Sequence, residues 1–181
     1  SLLPSLTQFN ISGNKFIFAD IEPNYNALST SLGTNFVYAP QQWIDEPRGV
    51  IANIGETVTL DILPDLGSNL IVDWYIFDGT NYTYLDSGLT YDYTVSSEAD
   101  YVDIIYFIQS STLPTLGLQS NIITIGPSPE THPDYDALIA IYNALDGPNW
   151  GVNWDITSPI STWSNLTFDA VTNRLIRLNI S

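Results

Sequence analysis

The stretch that most constrains this chain runs from Leu6 to Phe16, LTQFNISGNKF. Its apolar residues follow L-x-x-L-x-L-x-x-N-x-L, with Phe9, Ile11 and Phe16 in apolar slots and Asn14 at the turn. A short strand that alternates its side chains points Phe9 and Ile11 inward and Gln8, Asn10 and Ser12 outward. Ser12-Gly13-Asn14 suits the sharp turn that must follow. An inward Asn14 would satisfy turn amides otherwise buried unpaired. A unit this small cannot bury its own apolar face and requires a stacked neighbour. The competing reading is an isolated strand followed by a loop. Half of the pattern recurs at the other end, where Leu175, Leu178 and Ile180 of LIRLNIS stand as Leu6, Phe9 and Ile11 do in LTQFNIS. Two matching fragments therefore flank something different.

Slot for slot, Leu6 to Phe16 resembles a leucine-rich repeat. Residues 1–38 read as the C-terminal end of such a block. Asp20 to Asn24 is expected to form a short helical turn or loop, with Pro23 stopping regular pairing. Ala27, Leu28 and Leu32 are placed to cover the open edge of the stack.

From Phe36 the pattern changes. FVYAPQQW alternates and contains Pro40, as an edge strand does. Further strands are expected over Glu56–Leu63, Leu70–Phe77, Tyr82–Leu85, Leu89–Val95, Tyr101–Gln109 and Leu116–Ile125, with a turn at Asp78-Gly79-Thr80-Asn81. So many short strands in one stretch indicate an antiparallel β-sandwich over residues 39–127. GETVTL (Gly55 to Leu60), Trp74 in DWYIFDGT, and the Tyr106 strand followed by LQSNIITI resemble an immunoglobulin-like domain. That resemblance implies a cysteine pair, which this chain lacks; Leu60 and a residue near Tyr106 are expected against Trp74 instead. The tyrosine-corner pattern around Asp100 to Tyr106 is incomplete, and another seven-stranded sandwich stays open.

Residues 128–181 begin with a linker, Ser128 to Pro133. Leu138, Ile141, Tyr142 and Leu145 then fall at i, i+3, i+4 and i+7, predicting an amphipathic helix near 134–146. Asp134 and Asp136 favour its positive end and Gly147 its finish. DYDALIAIYNALDGPNWGVNW, PISTW and RLIRLNIS together resemble the N-terminal cap that precedes leucine-rich repeats in plant and bacterial extracellular proteins. The resemblance implies that Trp150, Trp154 and Trp163 bury their rings at the junction with the first repeat. The expected fold is thus mainly β: an immunoglobulin-like sandwich flanked by leucine-rich-repeat pieces, with one cap helix.

Composition narrows the functions. Four Lys and Arg stand against 20 Asp and Glu, a formal charge of −16. Such a chain repels phosphate backbones and anionic lipid, which argues against nucleic-acid or membrane-surface partners. With no Cys, neither disulfides nor Cys-based zinc sites are available. No apolar run approaches the roughly 18–20 residues of a membrane span. Ser1 in place of Met suggests a processed chain or a fragment, and the acidity suits an extracellular setting.

Catalytic chemistry finds little purchase. His132 is the sole histidine and lies in a proline-bracketed linker, where an exposed residue is the expected reading. The carboxylate pairs Asp134/Asp136 and Asp100/Asp103 read as a helix N-terminus and a solvated strand end. No cofactor is called for, although calcium stays open on so acidic a surface. Tyr82, Tyr84, Tyr91 and Tyr93 are candidates for a sugar platform, with cross-strand packing the more ordinary role. The Asn-x-Ser/Thr sequons at Asn10, Asn81, Asn165 and Asn179 are what chance gives in an Asn- and Thr-rich chain.

The whole resembles a segment of a modular bacterial surface protein, which implies a non-enzymatic adhesin or structural module. Candidate ligand-binding residues are Gln8, Asn10, Ser12, Arg177 and Asn179, on the outward strand faces. Expected partners are other copies of the chain, other surface proteins, or glycans. The alternative is a carbohydrate-binding accessory segment of a secreted enzyme. The matching end fragments also raise the expectation of head-to-tail stacking into a filament, unless the natural chain continues at both ends.

Overall fold

A computed structural model describes residues 5–152 and 154–180 of the chain. The outermost residues of the expected end segments, and Asn153 in the tryptophan-rich loop, lie outside the described residues. Among the described residues the fold is mainly β, with antiparallel sheets and two α-helices. Among the described residues, no helix is long and apolar enough to cross a membrane.

In chain order the elements are β1 (Phe9–Asn10), α1 (Phe18–Leu32), β2 (Phe36–Val37), β3 (Arg48–Ile51), β4 (Thr57–Asp61), β5 (Leu70–Phe77), β6 (Tyr82–Ser87), β7 (Thr90–Thr94), β8 (Asp103–Ser110), β9 (Gly117–Gln119), β10 (Ile123–Gly126), α2 (Tyr135–Ala144), β11 (Leu166–Phe168) and β12 (Leu175–Leu178). β5 pairs with β6 and β8, β9 also lies on β8, and β3 pairs with β10. β1-β2, β4-β7 and β11-β12 form separate two-stranded sheets. Contacts cluster into two units, one of residues 5–46, 59–91 and 104–122, the other of residues 47–58, 92–103 and 123–180. Each takes part of the strand-rich segment expected as a single domain at 39–127.

In the first unit, α1 departs from the expectation of a short turn near Pro23: it is a 15-residue helix with that proline inside it. Pro23 withholds the amide donor that the Ala19 carbonyl would take. Bonds near and far in sequence offset this. The Asp20 carboxylate accepts the Ile17 N–H at 2.9 Å. Ala19 N–H donates to the Leu66 carbonyl at 2.9 Å, and Glu22 accepts from Ser68 N–H at 3.1 Å and Ser68 Oγ at 3.0 Å. Gly67 lets the chain pass this close: it sits at φ +139°, and a Cβ there would lie 2.5 Å from Phe18 Cβ.

β5 spans the eight residues its alternation predicts. Val72 and Trp74 point inward, Ile71 outward. The Trp74 ring meets Tyr106 itself edge-on at 5.0 Å, and its indole N–H donates to the Gly88 carbonyl at 2.8 Å. The predicted strand at Leu116–Ile125 is instead two, β9 and β10. The break falls at Ser120, whose buried Oγ accepts the Tyr106 N–H at 2.9 Å and so occupies a donor the ladder would otherwise use. β3, unexpected from the sequence, pairs parallel with β10 in the second unit.

Also in the second unit, Ser128 to Pro133 is packed rather than a free linker. It holds a 3-10 turn with Pro129 buried, and Ser128 N–H donates to Asn53 Oδ1 at 3.3 Å. α2 buries Leu138 and Tyr142 against Trp154, Ile160 and Trp163. Leu145, expected inward, is 53% exposed because the helix has ended before it. The left-handed residue after the helix is Asp146 at φ 59°, not Gly147. Gly147 serves close approach instead, since a Cβ there would lie 2.1 Å from the Tyr142 ring. The three indoles form the expected cluster, with Trp154 stacked on Trp163 at 5.0 Å and edge-on to Trp150 at 5.1 Å. Each also donates to a backbone carbonyl, of Leu145, Ser164 and Ser158 for Trp150, Trp154 and Trp163.

Candidate binding groove and outward strand faces

Leu6, Phe9 and Ile11 are each half-buried. Phe9 stacks on Phe36 of β2 at 5.8 Å with the rings nearly parallel, at 7°. Phe36 in turn meets Tyr38 at 5.0 Å and Tyr25 of α1 at 6.5 Å. Bonding with Tyr38, then burial, hold the Tyr25 phenol above its ordinary range. One side of this ladder is closed by the parallel β1-β2 pairing. The other side is a groove of about 730 Å³ between β1 and α1, walled by Leu6, Phe9, Ile11, Ile21, Leu28 and Leu32 and rimmed by Asp20 and Asn24.

The turn after β1 is clamped in a way the sequence did not announce. Gln41 Nε2 donates to the carbonyls of Ile11 at 2.8 Å and Tyr38 at 2.6 Å, and its Oε1 accepts the Phe16 N–H at 3.2 Å. Gln42 Nε2 donates to the Gly13 carbonyl at 2.8 Å. Asn14, expected inward beneath turn amides, is exposed and donates to the carbonyls of Ile11 at 3.1 Å and Ser12 at 3.3 Å. With the two glutamines filling that role, no inward asparagine is needed. No motif marks Gln41 and Gln42.

Of the candidate ligand-binding residues, Gln8 and Asn10 are exposed and Ser12 half-buried, together along β1. Asn10 Oδ1 accepts from Ser12 N–H at 2.9 Å and Ser12 Oγ at 2.8 Å, which fixes its side chain. Arg177 and Asn179 are exposed on and just beyond β12 in the other unit. β12 runs antiparallel to β11, with Leu178 opposite Leu166 and Leu175 opposite Phe168. A register shift between Thr167 and Phe168 accommodates one extra residue on β12. That irregularity lets Leu175 and Leu178, three apart, both pack on the indole cluster while Ile176 is 65% exposed.

Asp134 anchors β12. Its carboxylate accepts from Arg174 Nε at 2.8 Å and from Leu175 N–H at 2.6 Å. These bonds, Arg174 foremost, hold it below the usual carboxylate range. The carboxylate is thus spent on the strand and not on the start of α2, where the sequence placed it. His132 is not an exposed linker residue: it is half-buried, its Nδ1 accepts the Asp134 N–H at 3.1 Å, and its ring lies 4.8 Å from Phe168. A cleft of about 980 Å³ passes His132, Glu98, Tyr101 and Asp103. Asp103 there accepts from Thr124 Oγ1 at 2.7 Å. Asp100 accepts from the amides of Ser96 and Ser97, which lower its carboxyl. Among the described residues, no three His, Asp or Glu converge as a metal-binding group.

The four strand tyrosines divide. Tyr91 stacks on Trp74 at 6.1 Å, and Tyr93, 7% exposed, donates to the Asp100 carbonyl. Tyr82 and Tyr84 are 44% and 54% exposed, their rings edge-on to Tyr75. Comparison of the chain with protein-family models, with curated proteins and with solved structures gave no match.

Proposed function

We propose that this chain is a non-enzymatic module of an extracellular surface protein, adhesive or structural, that acts through protein–protein contacts. In this reading its strand-rich middle is a cysteine-free, immunoglobulin-like spacer. Its end segments are the close of one leucine-rich-repeat block and the capped start of another. The observation that carries the reading is the apolar groove beside β1, lined by the repeat-spaced Leu6, Phe9 and Ile11 and by one face of α1. A repeat unit leaves such a face where a further unit stacks. The charge of −16 favours protein over nucleic-acid or lipid partners. No cofactor is required, and a weakly held calcium ion is compatible with the acidic surface.

The test is to place a second copy of residues 6–38 ahead of Leu6. The added unit should raise the melting temperature and protect the β1 amides from hydrogen exchange. Unchanged stability and exchange would sink the reading. A second reading, a carbohydrate-binding segment of a secreted enzyme, draws on the exposed Tyr82 and Tyr84. Retention on a polysaccharide column, abolished by Tyr82→Ala with Tyr84→Ala, would favour it.

A further inference from the structure

Among the described residues, β1 pairs with β2 alone and β12 with β11 alone. The two free edges are complementary. Among the described residues, β1 has no neighbour on the side away from the strand that follows it, and β12 has none on the side away from the strand that precedes it. The backbone groups agree. Ile11 N–H donates to the Val37 carbonyl, so the Asn10 peptide groups, one residue earlier, point to the free side. Asn179 N–H donates to the Asn165 carbonyl, so those of Leu178 point to the free side of β12.

We propose that copies of this chain associate head to tail, with β12 of one copy lying parallel along β1 of the next. The proposal rests on reading the groove as a stacking face and names its occupant. The shared spacing sets the register: Leu175, Leu178 and Ile180 fall beside Leu6, Phe9 and Ile11. Outward, Arg177 then falls beside Gln8 and Asn179 beside Asn10. Charge points the same way. β12 carries Arg177, whereas Phe16 to Phe36 holds Asp20 and Glu22 with no Lys or Arg. The remaining acidity of both copies opposes association, so salt strengthens it by screening.

Sedimentation velocity on the 181-residue chain tests this directly. Mass should rise with concentration and with salt, and run beyond the dimer, because the contact joins unlike surfaces. Ala27→Glu, at an exposed position on the groove, blocks one end; Arg177→Glu, exposed on β12, blocks the other. Each variant alone should be monomeric with unchanged melting, its association weakened by more than about tenfold. Mixed, the two should form a dimer that goes no further, since each keeps the end the other has lost. A wild-type chain that stays monomeric throughout, or a mixture that yields no dimer, overturns the proposal. Should the added repeat stabilise the chain while the wild type stays monomeric, the stacking face stands and self-association alone is refuted.

Discussion

Arg174 reaches back to Asp134, its Nη2 2.6 Å and its Nε 2.8 Å from the same carboxylate oxygen, while the other oxygen takes the Leu175 N–H. One carboxylate therefore joins the residue before α2 to the first residue of β12. Because the folded carboxyl titrates below its ordinary value, its contribution is whole above the ordinary aspartate range. It is lost as pH falls through the lowered folded value. Melting curves of the wild type and Asp134→Asn should differ most near neutral pH and converge on acidification. A constant gap down to the lowest pH would show that the ionised carboxylate is not what matters.

Trp74 is fully buried and donates to the Gly88 carbonyl. Trp74→Ala should cost about 3–5 kcal/mol, the range for truncating a buried aromatic. Trp74→Phe keeps most of the apolar area but leaves that carbonyl without its donor, costing about 1–3 kcal/mol. Urea titration would order the two; a Trp74→Phe variant as stable as the wild type would mean that the indole bond carries no weight.

Glu22 ties the middle of α1 to Ser68, and Ser110 Oγ approaches it at 3.4 Å. Glu22→Ala should destabilise the chain by about 1–3 kcal/mol and remove the exchange protection of the Ser68 amide. Retained protection at Ser68 would mean that Gly67 and Phe18 hold the loop without the carboxylate.

Gly147→Ala introduces a methyl where the Tyr142 ring already lies, at 2.1 Å. Overpacking of this kind costs about 1–3 kcal/mol. The near-ultraviolet circular dichroism of the indole cluster should change with it. A variant as stable as the wild type, with the same spectrum, would show that the ring moves aside freely.

How much of this was legible from residues alone depended on where the determining partners sit. β5 was readable because Leu70, Val72, Trp74 and Ile76 place an apolar residue at every second position, so the period is carried by the strand itself. The indole cluster was readable because five large aromatics in a short acidic segment have nowhere else to go. α1 was not, since its helical state rests on Leu66 and Ser68, far along the chain, and Pro23 argues locally against it. β3 was missed because Arg48-Gly49-Val50-Ile51 is short and its partner is the remote, parallel β10. At the groove, Leu6, Phe9 and Ile11 were evident from spacing, whereas Gln41 and Gln42 act through side-chain amides on backbone carbonyls. That role leaves no periodic trace.

The irregular pairing of β12 means that its side-chain order is set by residue count as well as by residue type. Deleting Ile176 would leave a regular strand in which Leu175 and Leu178 become two apart and still share a face. The exposed isoleucine is therefore dispensable for burial, and its loss would leave the pairing with β11 in register. Without it Arg177 would still face Thr167 and Leu178 would still face Leu166, so a chain lacking it would present the same outward residues to whatever lies alongside.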